Sequence, residues 1–301
     1  MDTRILVGTE SGLWQLRGDA LEPVDPFTAR TVTALAQTGQ ETWAIVDSRA
    51  LWHGVGGHWS ERTSLGELPA TCLAATPAGV LIGTAQAHLH RFHGGALARV
   101  ESFEIVDGRE EWHTPWGDPA DVRSMAVALD GTIYVNVHVG GVVRSRDAGR
   151  SWTPTLDIDV DVHQVIAHPT RAELVLVAAY DGFGISTDGG DSWDFITEGM
   201  HAHYARAVAV AGGHVLVSAS RGPGGSRATL YRKPLDEATP FVRGEGLPWF
   251  DRNIDTACLA SDGSLVVFGT DDGRVFRSLD GGARFGLVTK GLPTITAVTI
   301  G

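Results

Sequence analysis

Three segments of this chain share one form, S-x-D-x-G-x-x-aromatic: SRDAGRSW (145–152), STDGGDSW (186–193) and SLDGGARF (278–285). Each is too polar and glycine-rich for a strand and too short for a helix. Yet each ends in a large ring that is costly to leave in water. Upstream of each lies a short apolar piece: GGVVR, GFGI or GRVFR. Before that comes a strand-like run closed by a turn: GTIYVNVHVGG, ELVLVAAYDG or SLVVFGTDDG. A further run precedes it: VRSMAVALDG, VHQVIAHPTR or IDTACLASDG. The unit is therefore four short strands, A to D, joined by Gly/Asp turns over roughly 40 residues. That period and composition predict a β-propeller blade.

Degenerate copies fill the remainder. TVTALAQ (31–37) and TCLAATP (71–77) repeat strand A, while TWAIVDSRALWHG and GVLIGTAQAHLHRF repeat strands B and C. The unit over 204–243 is longer but similar. The chain starts on a strand B, RILVGTESGLWQL, and finishes on a strand A, TITAVTI (294–300). Pairing these halves shares the first blade between 1–28 and 294–301 and leaves no free edge at the seam. The sequence thus predicts an all-β, seven-bladed propeller of four-stranded antiparallel blades, with 1–301 as one domain.

Composition narrows the function classes. The formal charge of −12, without a Lys/Arg cluster, argues against nucleic acid and anionic membranes. No run of apolar residues is long enough for a spanning helix. The start, MDTRILVGTE, lacks a basic segment followed by an apolar one, so no secretory signal is expected. Cys72 and Cys258 lie in apolar runs and read as reduced core thiols, which points to the cytoplasm.

The aspartates of the three turns, Asp147, Asp188 and Asp280, are placed to accept backbone N–H groups of their own turns. Glycines such as Gly189 and Gly190 supply positive φ. Trp152, Trp193 and Phe285 then pack between neighbouring sheets. These residues are read as structural rather than catalytic.

On these motifs the chain resembles the Asp-box, or BNR-repeat, β-propellers. That group includes sialidases, xyloglucan-active hydrolases, sortilin-type receptors and the photosystem II assembly factor. The resemblance covers nearly the whole chain as architecture, with a full motif in two or three blades. It implies a fold and leaves function open, because unrelated activities share it. A sialidase would imply an arginine triad and a Tyr–Glu nucleophile. Here the Arg-Ile-Pro signature is missing, and neither Tyr180 nor Tyr204 has an obvious glutamate partner.

In a propeller the D–A and B–C loops gather on one face around the channel mouth, and the C–D turns lie on the other. Aligning the A strands gives a ring at the mouth: Thr31, a small residue near Ala70, Arg123, His163, Arg206, Asp255 and Thr294. The B–C loops add His138, Tyr180, Asp181, Arg221, Asp271 and Asp272. Asp121, Asp161, His203 and Tyr204 lie just above. Two loops strengthen the site. The connection 101–121 carries Trp112, His113 and Trp116, and 246–253 carries Trp249 and Phe250. Long loops are often binding elements, and such aromatics suit stacking on a sugar.

The leading expectation is a propeller that binds an anionic small molecule, glycan or peptide at this mouth. Arg123 and Arg206 clamp the acid group. His138, Tyr180, His203 and Tyr204 line the site, and Trp112, Trp116 and Trp249 stack. The competing expectation is a hydrolase or lyase with His163 as base and Asp255 or Asp121 as partner; two mouth carboxylates are what glycoside hydrolysis needs. A third is a scaffold that presents its rim to a protein partner. No cofactor is expected. The metal alternative is a divalent ion held by His138, His163 and His203, which Arg123 and Arg206 disfavour.

Overall fold

A computed structural model describes residues 3–301. Seven four-stranded antiparallel sheets form a ring. The innermost strands of blades 1 to 7 are Ile295–Ile300, Val32–Thr38, Ala70–Thr76, Val122–Val127, Val162–Ala167, Tyr204–Ala211 and Leu259–Asp262, each touching the next around the axis. The second strands of blades 4 and 5, Ile133–Val137 and Val175–Ala179, are buried at every residue. A strand covered on both faces reads as a continuous apolar run, as these do. The outermost strands, such as Asp194–Ile196, are largely exposed.

Blade 1 closes the ring as expected. Ile295–Ile300 pairs antiparallel with Ile5–Thr9, with Ile5 opposite Ile300 and Val7 opposite Val298. The core is a set of slabs between adjacent blades. Leu216, Leu230, Phe268, Phe276 and Phe285 fill one, and Phe183, Val208, Val217 and Phe241 fill another.

The aspartate turns are built as the sequence implies. One carboxylate oxygen of Asp188 accepts the N–H groups of Asp191 and Ser192, both at 2.9 Å. The Ser192 hydroxyl donates to the other oxygen at 2.6 Å. Asp147 repeats this with Arg150 and Ser151, and Asp280 with Arg284. Trp193 packs against the slab between blades 4 and 5, and its indole donates to the Thr155 carbonyl at 3.1 Å. Trp152 meets Phe103 edge-on at 5.2 Å. A third strand also grips the next blade's turn through an arginine. Arg91 donates to the Ala148 carbonyl at 2.6 Å, and Arg144 donates to Gly189 and to Asp191.

Blade 7 departs from the expected pattern. Its innermost strand begins only at Leu259. Asp255 opens a turn in which the Cys258 N–H donates to its carbonyl and Ala257 takes a φ of 64°. Asp255 therefore reaches the mouth from a turn rather than from a strand.

Candidate functional site

A backbone device repeats at the axis. The innermost strands of blades 2 to 6 bulge near their starts, at Val32/Ala34, Ala70/Cys72, Val122/Ser124, Val162/Gln164 and Ala205/Val208. Blade 1 has the same irregularity opposite Gly8 and Thr9. A bulge leaves an extra residue unpaired and re-aims it. Those residues are Thr33, Thr71, Arg123, His163, Arg206 and Thr296. The sequence alignment found the three charged or imidazole members. It placed the small ones a residue or two upstream, at Thr31, Ala70 and Thr294, because the degenerate strands offer no register mark.

Thr33, Thr71, Arg123, Thr256 and Thr296 line an axial channel of about 280 Å³. Most of these threonines are spent on the fold. Thr71 donates to the Val122 carbonyl, Thr296 to Val32, and Thr256 to His163 and Arg206 at 3.1 and 3.0 Å. The chemistry of the mouth thus falls to blades 4, 5 and 6.

Asp161 is the hub. Its carbonyl, just before the strand of blade 5, accepts the Tyr180 N–H, and the Asp121 carbonyl accepts the His138 N–H, both at 2.9 Å. These bonds tie the B–C loops to the strand starts. The Asp161 carboxylate stands 3.3 Å from Nε2 of His163, 3.5 Å from Nε2 of His138 and 3.9 Å from Nη1 of Arg123. Beside it Arg206 is paired with Asp255 and lies 5.9 Å from the Tyr204 ring.

His163 is wholly buried, and its Nδ1 meets the Ala205 carbonyl. A ligand would therefore meet Asp161 or His138 before His163. That geometry disfavours His163 as a base acting on substrate. The ring instead lies against the Asp161 carboxylate.

The mouth is under-bonded. Nη1 of Arg123, Nε of Arg206, Oδ1 of Asp161 and Nε2 of His163 are buried without a hydrogen-bond partner. Buried polar atoms in native proteins are nearly always paired, so such a cluster needs a reason. Burial pushes the Arg123 guanidinium down, and the Arg206 charge adds to this. Burial would raise the Asp161 carboxyl. The neighbouring His163, with His138 and Arg123, outweighs it and holds the group below its ordinary value. Burial and the Arg123 charge hold His138 down to about 4. Asp121 differs, because burial raises it against the Gln86 N–H and Arg123.

The aromatic residues divide. Trp116 is 69% exposed and stands edge-on to His138 at 5.4 Å. Tyr180, 46% exposed, meets His203 and Tyr204, both at 5.8 Å. Tyr204 in turn lies 4.7 Å from His163. These rings border the mouth. Trp112 instead packs on Phe103 beneath its loop and lines a separate 420 Å³ pocket with Pro154 and Leu156. Trp249 sits between Arg227 and Arg243 on the loops of blade 6.

The metal alternative finds no support in the geometry. Among the described residues no group of three His, Cys, Asp or Glu is arranged to hold an ion. Nε2 of His163 is turned to Asp161, and His203 packs on Tyr180. His138, His163 and His203 therefore do not form one ligand set.

No family model and no curated protein matches this chain. Its fold is similar to many solved structures. The GH74 xyloglucanase from Xanthomonas campestris is 15% identical with a TM-score of 0.63, and the alignment covers 95% of this chain and 46% of that one. This chain therefore spans less than half of that enzyme. YCF48 bound to D1 peptide is 13% identical, TM-score 0.61, covering 93% and 89%. U3-55K is 13% identical, TM-score 0.62, covering 99% and 88%. At such identities the likeness is one of fold, and these propellers carry different labels.

Proposed function

We propose that this chain is an Asp-box propeller that binds a glycan or peptide carrying an acid group at its axial mouth. The observation that carries the reading is Nη1 of Arg123, buried without a hydrogen bond and reaching the Asp161 carboxylate only at 3.9 Å, in a chain of net charge −12. A guanidinium held this way gains most from a carboxylate, which forms short charge-assisted bonds. Oδ1 of Asp161 beside it also lacks a hydrogen bond, with His138 no nearer than 3.5 Å, so the same ligand should also bring a hydroxyl or amide donor. Trp116 and Tyr180 offer apolar faces at the rim. The three aspartate turns support the Asp-box assignment. A peptide-bound propeller and a xyloglucanase among the similar folds are compatible with either ligand class. Two buried free thiols, Cys72 and Cys258, suit a cytoplasmic setting.

Calorimetric titration of the purified chain with an oligogalacturonide, a neutral xyloglucan oligosaccharide and an acidic peptide tests this reading. Saturable heat with an acidic probe that is lost in Arg123→Gln supports it. Binding of the neutral sugar alone, or equal binding by the variant, overturns it.

A second reading starts from two acids that both lie near Arg123. Asp121 is raised and Asp161 lowered. Carboxyl groups pushed apart in this way can serve as acid and base in glycoside hydrolysis. Release of reducing sugar that disappears in Asp121→Asn would favour it over simple binding.

A further inference from the structure

Blade 6 carries a second feature on the same face, built from different residues. Its third strand, Thr229–Pro234, and fourth, Val242–Arg243, lie beneath two loops, 221–228 and 246–253. The loops are locked together. Ala228 and Phe250 exchange both backbone bonds at 2.9 Å. Asn253 accepts from the Ser220 hydroxyl at 2.6 Å and donates to the Pro223 carbonyl at 3.0 Å. On this platform the Trp249 ring has the Arg227 guanidinium at 4.5 Å and that of Arg243 at 4.3 Å.

Arg243 is held by the fold, donating to Thr229 at 3.1 Å and to the Pro248 carbonyl at 3.0 Å. Arg227 and Arg221 are exposed and have no carboxylate partner among the described residues. Arg227 also holds a φ of 56°, in the left-handed region that a non-glycine side chain resists. The nearby acid Glu245 is engaged 3.0 Å away by Arg284. His201 lies 4.8 Å from Trp249, fixed by the Tyr231 hydroxyl at 2.9 Å. Burial pushes its imidazole down, and the charges of Arg227, Arg221 and Arg243 all act in the same direction. Two guanidiniums thus meet on Trp249, with Arg221 at the start of the same loop, and none of the three is ion-paired to a carboxylate among the described residues.

We propose that this corner, formed by Arg221, Arg227, Arg243, Trp249 and His201, is a binding site for a phosphate monoester. A dianionic tetrahedral group presents several oxygens to donors arriving from different strands. Planar guanidiniums suit such oxygens better than ammonium groups. The indole keeps two of the guanidiniums oriented before the ligand arrives, which lowers the ordering cost of binding. The site is separate from the axial mouth and does not depend on the function proposed for it.

Titration calorimetry of the full chain with inorganic phosphate, then with a phosphoserine peptide and its unphosphorylated form, tests this proposal. Saturable binding of phosphate is expected, weakened about tenfold or more in Arg227→Gln or Arg221→Gln. Arg123→Gln at the mouth should bind phosphate as the parent does. A phosphopeptide that binds more tightly than phosphate indicates a peptide-borne group, and equal affinities indicate recognition of phosphate alone; both support the site. Undiminished phosphate binding in Arg227→Gln and Arg221→Gln, or loss of binding in Arg123→Gln alone, overturns it. Unchanged thermal unfolding of the Arg227 and Arg221 variants guards against a folding artefact.

Discussion

Nε2 of His163 stands 3.3 Å from the Asp161 carboxylate while Nδ1 of the same ring meets the Ala205 carbonyl. With Nδ1 donating, a neutral ring turns a lone pair toward the carboxylate. Two acceptors at that distance repel unless they share a proton or a donor comes between them. The mouth is therefore arranged around Asp161, with buried polar atoms of Arg123, Asp161 and His163 left without hydrogen bonds.

Removing the hub should expose that dependence. Asp161→Asn leaves Arg123, His138 and His163 without their carboxylate. It should lower stability by about 1–3 kcal/mol, the usual cost of leaving buried polar groups unpaired. Urea denaturation measures this, and an unchanged midpoint would mean that the three groups find other partners.

His138 makes one contribution to the pH dependence. Its folded value, about 4, lies below its ordinary 6.5. Between those values the unfolded chain binds more protons, so stability rises with pH. The contribution is complete above about 6.5 and is lost as pH falls toward 4. The lowered Asp161 adds a loss in the same direction at more acid pH. His138→Gln should reduce the slope of stability between pH 6.5 and 4 without abolishing it, because His90, His163, His168 and His201 are lowered too; denaturation at a series of pH values measures this.

The aspartate turn is a test of fold alone. Asp188→Ala removes the acceptor for two N–H groups and the Ser192 hydroxyl. A fall in Tm on the order of a few degrees is expected, with ligand affinity at the mouth unchanged. Loss of affinity with Tm intact would give the turn a role that its hydrogen bonds do not suggest.

Close packing near the axis makes a fourth target. A Cβ on Gly83 would lie 2.5 Å from the Val122 side chain and 2.8 Å from Sγ of Cys72. Gly83→Ala should therefore destabilise by roughly 1–3 kcal/mol through overpacking. Gly269 faces Ile295 in the same way at the seam. Equilibrium denaturation decides it, and a neutral Gly83→Ala would show that blades 3 and 4 can separate slightly without cost.

Much of this architecture was legible in the sequence. The turns spaced one and two blades apart gave the period, and the complementary chain ends gave the closed seam. SRDAGRSW and STDGGDSW mark turns with their own carboxylate acceptors, so local chemistry identified them. Arg123, His163 and Arg206 were legible because a charged or imidazole side chain near the start of a strand A stands out even where the strand bulges. Thr33, Thr71 and Thr296 were misplaced because a bulge shifts register without changing composition. Trp112 and Trp249 could not be assigned to mouth or rim, since a loop's direction depends on contacts distant in sequence. The Asp161 hub was seen only as one acid among several. Its importance comes from His138 and Arg123 in blade 4 and His163 in blade 5, which no linear spacing brings together.

The most direct measurement of the central claim is a crystal soaked in bromide, with the anion located by its anomalous scattering. The account predicts a bromide in hydrogen-bond contact with Nη1 of Arg123, absent from crystals of Arg123→Gln. A mouth without anomalous signal, with Arg123 closed onto Asp161 as an ordinary ion pair, would contradict it.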